Sequence, residues 1–306
     1  MGVTVGLQRV QALMTYSISG WCPATGEAGF AMASFDVTFA PPERIPSAVV
    51  AGVGSVACQA MTRPGFGAKV VALLQRGRPA AEGLAEALRG EAGGDLFQVA
   101  VVDAVGGIAA FTGSSTMAWA GHTAGLRCVA AGNLLRSGWV VDEMVARFQA
   151  DDGEPLPRRL LAALHAGYAT GGDRRGTRSA TLRVAGLATG ELYLRVQHHH
   201  RPLAELERLL ELAQREAAFT SNVQAASRLL SPLLVEHGLV EDLASLSTAE
   251  AIGRLREDVR AQALMRPPAD RVLDDLVVSL EGTHESVGRM PFRVALAALG
   301  AGLLGS

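Results

Sequence analysis

The order of strand-like and helix-like segments constrains this chain more than any single motif. Residues 15–21 (TYSISGW) and 28–34 (AGFAMAS) read as a pair of strands around CPATGE, where Pro23 and Gly26 supply turn chemistry. A loop marked by Pro41, Pro42 and Pro46 follows, and Ala48–Gln59 then reads as one buried strand. Helices are expected over Gly67–Arg76 and Pro79–Glu91, the second opened by a proline suited to a first helical position. Strands return at Phe97–Asp103 and Ile108–Thr112 around Gly106-Gly107, and again at Met117–Gly121 and Arg127–Ala131. A second helix pair is expected over Val140–Ala150 and Leu156–Tyr168, and two last strands over Ser179–Val184 and Glu191–Val196. Strand pairs alternating with helix pairs are not the β-α-β-α order of a doubly wound sheet. They indicate antiparallel sheets covered by helices, an α+β layered sandwich.

Glycine usage divides the chain. Of 35 glycines, 28 lie in residues 1–200 and 7 in residues 201–306. Small residues in the strands suit closely packed sheet faces. Beyond Pro202, Leu203, Leu206, Leu209, Leu210 and Ala213 form a helical stripe, and helices are expected near 222–235, 248–264, 270–280 and 291–304. The expected organisation is a 1–14 extension, a 15–200 sandwich and a 201–306 helical region.

A net charge of −2 excludes a strongly basic nucleic-acid binder. No apolar run reaches the roughly 18 residues of a membrane span. Cys22, Cys58 and Cys128 are too few and too scattered for a disulfide framework or a four-ligand zinc site. The expectation is a cytoplasmic protein that needs no metal or cofactor. Its expected partner is a small-molecule substrate, with neither nucleic acid nor membrane, and a homo-oligomer is left open.

Two attractive motifs do not carry chemistry. Gly52-Val-Gly-Ser-Val-Ala57 mimics a dinucleotide fingerprint, but Pro64 and Gly65 follow too soon for the long helix that would hold a pyrophosphate. Consecutive His198, His199 and His200 alternate faces in an extended chain and do not readily share one ion.

Met14-Thr15 is the sharper feature. Were translation to begin at Met14, removal of that methionine would expose Thr15 as the N-terminus. An N-terminal threonine carries its own base: the hydroxyl attacks and the α-amino group takes the proton. That amino group has a pKa near about 8 and is partly neutral at cytoplasmic pH. Gly171-Gly-Asp-Arg-Arg-Gly176 sets Asp173 and Arg175 in a glycine-rich turn, where opposite charges suit an amino-acid-like ligand. Asn133, after Gly132, has a side-chain N–H able to donate to an oxyanion.

Six ordered segments, TYSISGW-CPATGEAGFAMAS, AGVGSVACQA, VVDAVGGIAAFTG, WAGHTAG, AAGNLL and AGYATGGDRRGTRSATL, resemble the bacterial family labelled domain of unknown function 1028. The resemblance spans about Thr15 to Leu210. It implies the four-layer αββα sandwich of the N-terminal-nucleophile (Ntn) hydrolases. It matches Thr15 to the family's first residue after methionine, and aligns Ser34, His122, Asn133, Asp173, Arg175 and Ser179 with recurrent positions. The expected function is an Ntn-type amidohydrolase of C–N bonds in a small amide or amino-acid-derived substrate. Thr15 and Asn133 would be catalytic, and Ser34, His122, Asp173, Arg175 and Ser179 would contact substrate. The alternative is a non-catalytic binding or assembly protein on the same scaffold, with the helical tail as its interaction surface.

Overall fold

The computed structural model describes residues 15–37 and 46–215, together with position 217. The chain divides into two compact units, Met1–Leu210 and Glu211–Ser306, and the description that follows is of the first. The expected extension 1–14 and the expected helices beyond 217 lie outside the described residues.

Two antiparallel sheets form the unit. The larger has six strands: β1 (Thr15–Trp21), β2 (Ala28–Ser34), β7 (Gly121–Gly125), β8 (Cys128–Gly132), β9 (Ser179–Gly186) and β10 (Gly190–Val196), in the order β10-β9-β2-β1-β8-β7. The smaller has four: β3 (Ala48–Val50), β4 (Gly54–Ala60), β5 (Phe97–Asp103) and β6 (Ile108–Thr112), in chain order. Helices α1 (Phe66–Gln75) and α2 (Ala80–Leu88) belong with the smaller sheet, and α3 (Trp139–Ala150) and α4 (Leu156–Ala169) with the larger. A fifth helix, α5, occupies residues 202–215.

Alternation along the strands sorts side chains into three cores. Val56, Cys58, Val99 and Val101 of the smaller sheet pack against Phe66, Val70 and Leu74 of α1 and Leu84 of α2. Tyr16, Ile18, Ala130 and Leu182 of the larger sheet pack against Met144 and Phe148 of α3 and Leu160 and Leu164 of α4. Leu203, Leu206 and Leu210 of α5 join this core. Between the sheets lies a third core built mostly of short side chains, among them Ala57, Ala100, Val129 and Ala131, with Phe30 beside them. Small residues there let two backbones approach, which accounts for the glycine- and alanine-rich strands.

Local chemistry sets the element ends. Asp103 closes β5: its Oδ1 accepts the N–H groups of Val105 (3.1 Å) and Gly107 (2.7 Å), shaping the turn into β6. Its Oδ2 accepts the Ala80 N–H (3.0 Å), capping α2 from a distant strand. All three cysteines are free and buried.

Two expectations need correction. Ala48–Gln59 is a hairpin rather than one strand, because Gly52 (φ 70°) and Gly54 (φ 145°) turn the chain between β3 and β4. Met117–Gly121 is not a strand, since β7 starts only at Gly121. Thr116 folds back instead, its backbone N–H and hydroxyl both donating to Gly113 O. Such local bonds compete with a sheet ladder.

Candidate functional site

The inward faces of β1, β2, β9 and β10 form a lattice set by register. Thr15 lies opposite Ser34, and Ser34 opposite Ser179. One row along, Ser17, Met32, Thr181 and Arg195 stand in line, and the next row holds Ser19, Phe30, Arg183 and Tyr193. The opposite faces of these strands carry Tyr16, Ile18, Ala33, Leu182 and Val196 into the helix-side core.

The smaller sheet has four strands against six, and its β3 edge lies near β2 and β9. An open recess follows, with Thr15 at one wall, Met32 and Phe30 as apolar floor, and Thr181, Arg183, Tyr193 and Arg195 beyond. Thr15 is only 1% exposed, and Ser34, Asp36, Ser47 and Ser179 complete the near side.

The serines knit the rim. Ser34 Oγ accepts the Asp36 N–H (3.0 Å), and Ser179 Oγ donates to Asp36 O (2.6 Å). Behind Asp36 stands Arg175. Its Nη2 meets Asp36 Oδ2 at 3.0 Å and Asp173 Oδ2 at 2.7 Å, and its Nε donates to Asp173 Oδ1 at 3.0 Å. Burial works against the Arg175 charge, but the two carboxylates outweigh it and raise its pKa. Arg175 and Arg178 both stack on Phe35, with guanidinium carbons 4.9 and 3.9 Å from the ring centre. Asp173 and Arg175 thus answer each other's charge and reach the recess through Asp36. Their turn packs closely on β1: Gly172 (φ 49°) lies where a Cβ would come within 3.2 Å of the Tyr16 ring.

Asn133 meets Thr15 through the main chain, donating its N–H to Thr15 O (3.1 Å). Its fully buried side chain enters an amide cluster between the sheets. Gln98 Oε1 accepts from Gln59 Nε2 (2.7 Å) and Asn133 Nδ2 (2.9 Å). Gln98 Nε2 faces Gly132 O (2.8 Å), Thr112 Oγ1 (3.0 Å) and Gly121 O (3.1 Å). Because two backbone carbonyls fix which end of Gln98 donates, they also fix that Asn133 presents its amide N–H to Gln98. The residues flanking this cluster, Ala60 (φ 58°) and Leu134 (φ 53°), hold left-handed backbone, a strain that clusters at functional sites.

His122 lies on the far side of the cluster, its Nδ1 2.9 Å from Thr112 Oγ1. Burial pushes its pKa down, so the ring is neutral at pH 7. The structure therefore gathers Thr15, Ser34 and Ser179 at one recess. It joins Asp173 and Arg175 to that recess through Asp36, joins Asn133 through backbone, and links the His122 side chain to Asn133 by way of Thr112 and Gln98.

Sequence reasoning did not single out Asp36, Arg183, Tyr193, Arg195 or the bonding of Gln98. The strands themselves carried a signal for the first group. Alternate positions of β9 and β10 are polar where the intervening ones are apolar.

Among the described residues no group of His, Cys, Asp and Glu is arranged to hold a metal ion, and no helix is long and apolar enough to cross a membrane. Compared with known proteins, residues 15–206 match the model of a family of unknown function, DUF1028. The crystal structure of protein SPO2555 from Silicibacter pomeroyi, itself assigned to that family model, superposes with a TM-score of 0.60 at 29% identity, covering 65% of this chain and 89% of that one. No curated protein matches.

Proposed function

The chain belongs to the family of unknown function DUF1028, and from that premise we propose that it is an Ntn-type amidohydrolase with Thr15 as nucleophile after removal of residues 1–14. The position of Thr15 carries this reading: it is a hydroxyl residue at the wall of the recess and the first residue of the family match. The succession of helices, sheet, sheet and helices supports reading the fold as the αββα sandwich of the Ntn hydrolases.

In the proposed reaction Thr15 Oγ attacks the carbonyl carbon of a small amide, and its proton passes to the Thr15 α-amino group. The C–N bond breaks, and the leaving amine takes that proton. Water then cleaves the resulting ester and frees the acid and the threonine. Asn133 has two Nδ2 hydrogens, one committed to Gln98 Oε1. The second is the donor assigned to the oxyanion. Ser34 and Ser179 hold the rim through Asp36, and Asp173 with Arg175 holds Asp36 in turn.

Intact-mass measurement of active protein from its native host tests the reading. Thr15 is expected as the first residue, and Thr15→Ala is expected to abolish amide hydrolysis in a folded protein. Activity in protein that still carries Leu13 and Met14 overturns the mechanism.

A further inference from the structure

The recess beside Thr15 measures about 610 Å3 with its open mouth, within the roughly 300–1,000 Å3 of small-molecule sites. Many of its residues are polar, but their polar atoms are engaged within the protein. Ser34 and Ser179 bond the Asp36 backbone, while Ser47 Oγ donates to Cys58 O (3.2 Å) and accepts the Cys58 N–H (2.9 Å). Arg183 is held by Glu191 at 2.6 Å, and Asp36 by Arg175 at 3.0 Å. Arg195 also has an interaction within the protein. The surface left for a ligand is mainly carbon, with Met32, Phe30 and the Tyr193 ring as its apolar members. Met32 packs on the between-sheet core to which Phe30 belongs, so this floor is held in place from below.

That surface selects the chemistry of its ligand. A charged group entering it gives up water and meets groups already engaged, which is costly. An apolar group gains there, each methylene taken out of water being worth about fourfold in affinity. In the proposed reaction the acyl half stays on Thr15 as the ester after the amine has left. Contacts that hold the acyl half therefore orient both steps.

The strand lattice gives a length. Ser34 faces Thr15 across one strand spacing, and Phe30 lies four residues further along the same strand and the same face. At about 4.8 Å per strand and about 3.3 Å per residue, the Cα atoms of Thr15 and Phe30 are about 14 Å apart. Their side chains take up part of that span. The remainder matches about six carbons of extended chain, at about 1.5 Å per C–C bond before the zigzag.

We infer that the recess holds an uncharged, medium-length apolar acyl group, its carbonyl at Thr15 and its chain running over Met32 toward Phe30. This rests on the reading of Thr15 as nucleophile. The test is calorimetric binding to the full chain carrying Thr15→Ala, so that hydrolysis plays no part. The probes are butanamide, hexanamide and octanamide, with N-butylacetamide as the isomer of hexanamide that carries its chain on the amine side. Two derivatives of hexanamide, one ending in a carboxylate and one in an ammonium, test for charge.

Affinity is expected to rise about fourfold per methylene from butanamide to hexanamide. N-butylacetamide and both charged derivatives are expected to bind at least about tenfold more weakly than hexanamide. Met32→Gln is expected to flatten the series, and Met32→Leu to keep it. A flat series in the Thr15→Ala chain overturns the inference. So does binding of N-butylacetamide or of either charged derivative as tight as that of hexanamide, a series untouched by Met32→Gln, or no binding at all. The two readings fail separately. A chain-length gain in a protein whose active form retains Met14 leaves the apolar site standing and removes the nucleophile, while hydrolysis indifferent to chain length does the reverse.

Discussion

Gln98 shows how much one buried side chain decides. Its two ends have opposite duties: the oxygen collects N–H groups from Gln59 and Asn133, and the nitrogen ties the group to the carbonyls of Gly121 and Gly132. Gln98→Leu keeps the volume but strands two amide donors in a dry interior, where an unsatisfied donor costs about 1–3 kcal/mol. The expected loss is about 3 kcal/mol of unfolding free energy, read as a lower urea midpoint at unchanged slope. Activity is expected to fall with it, since Asn133 loses the contact that orients it. An unchanged midpoint means that the cluster does not contribute to stability. None of this was legible in the sequence beyond the fact that Gln98 sits in a strand. Its partners are 39 and 35 residues away, and side-chain bonds across two sheets leave no periodicity.

Elements were more legible than contacts. Ala28–Ser34, Phe97–Asp103 and Ile108–Thr112 coincide with their expected bounds, as does the end of β1 at Trp21, because turn residues lie close to these ends. The failures arose where a glycine turn lay inside an apolar run, as at Gly52, or where hydroxyls folded the chain locally, as at Thr116. Thr15, Ser34 and Ser179, singled out one by one in the sequence, line one recess, whereas the bonding of Asp173 to Arg175 and of both to Asp36 left no pattern there to read.

Packing between elements yields a sharper expectation. Gly20 of β1 lies under the Phe148 ring of α3, and any Cβ there overlaps that ring. Gly20→Val is expected to cost about 1–3 kcal/mol, as overpacking does, and Phe148→Leu in the same chain is expected to recover part of it. A double-mutant cycle with no coupling refutes this account of the glycine.

At the scale of the molecule, α5 changes where the folded unit ends. Leu203, Leu206 and Leu210 are at most 4% exposed and complete the core of α4, β9 and β10. The glycine count suggested a division near residue 200; the cores put residues 203–210 with the sandwich. Three buried leucines contribute about 1.5–3 kcal/mol each, comparable in sum with the whole stability of a domain. A chain ended after residue 200 is therefore expected to lose cooperative thermal unfolding, while one ended after residue 217 keeps it. Equal melting of the two contradicts this assignment of α5.

The excess of two strands in the larger sheet has one further consequence. On β9 and β10, Leu182, Val184 and Val196 hold the molecule together from one side of the sheet, while Thr181, Arg183 and Arg195 face the recess from the other. A strand thus carries two texts on alternate letters, one read by the core and one by the recess. Substitutions at Thr181, Arg183 or Arg195 therefore reshape the recess while leaving the helix-side core intact, and substitutions at Leu182, Val184 or Val196 act on that core instead.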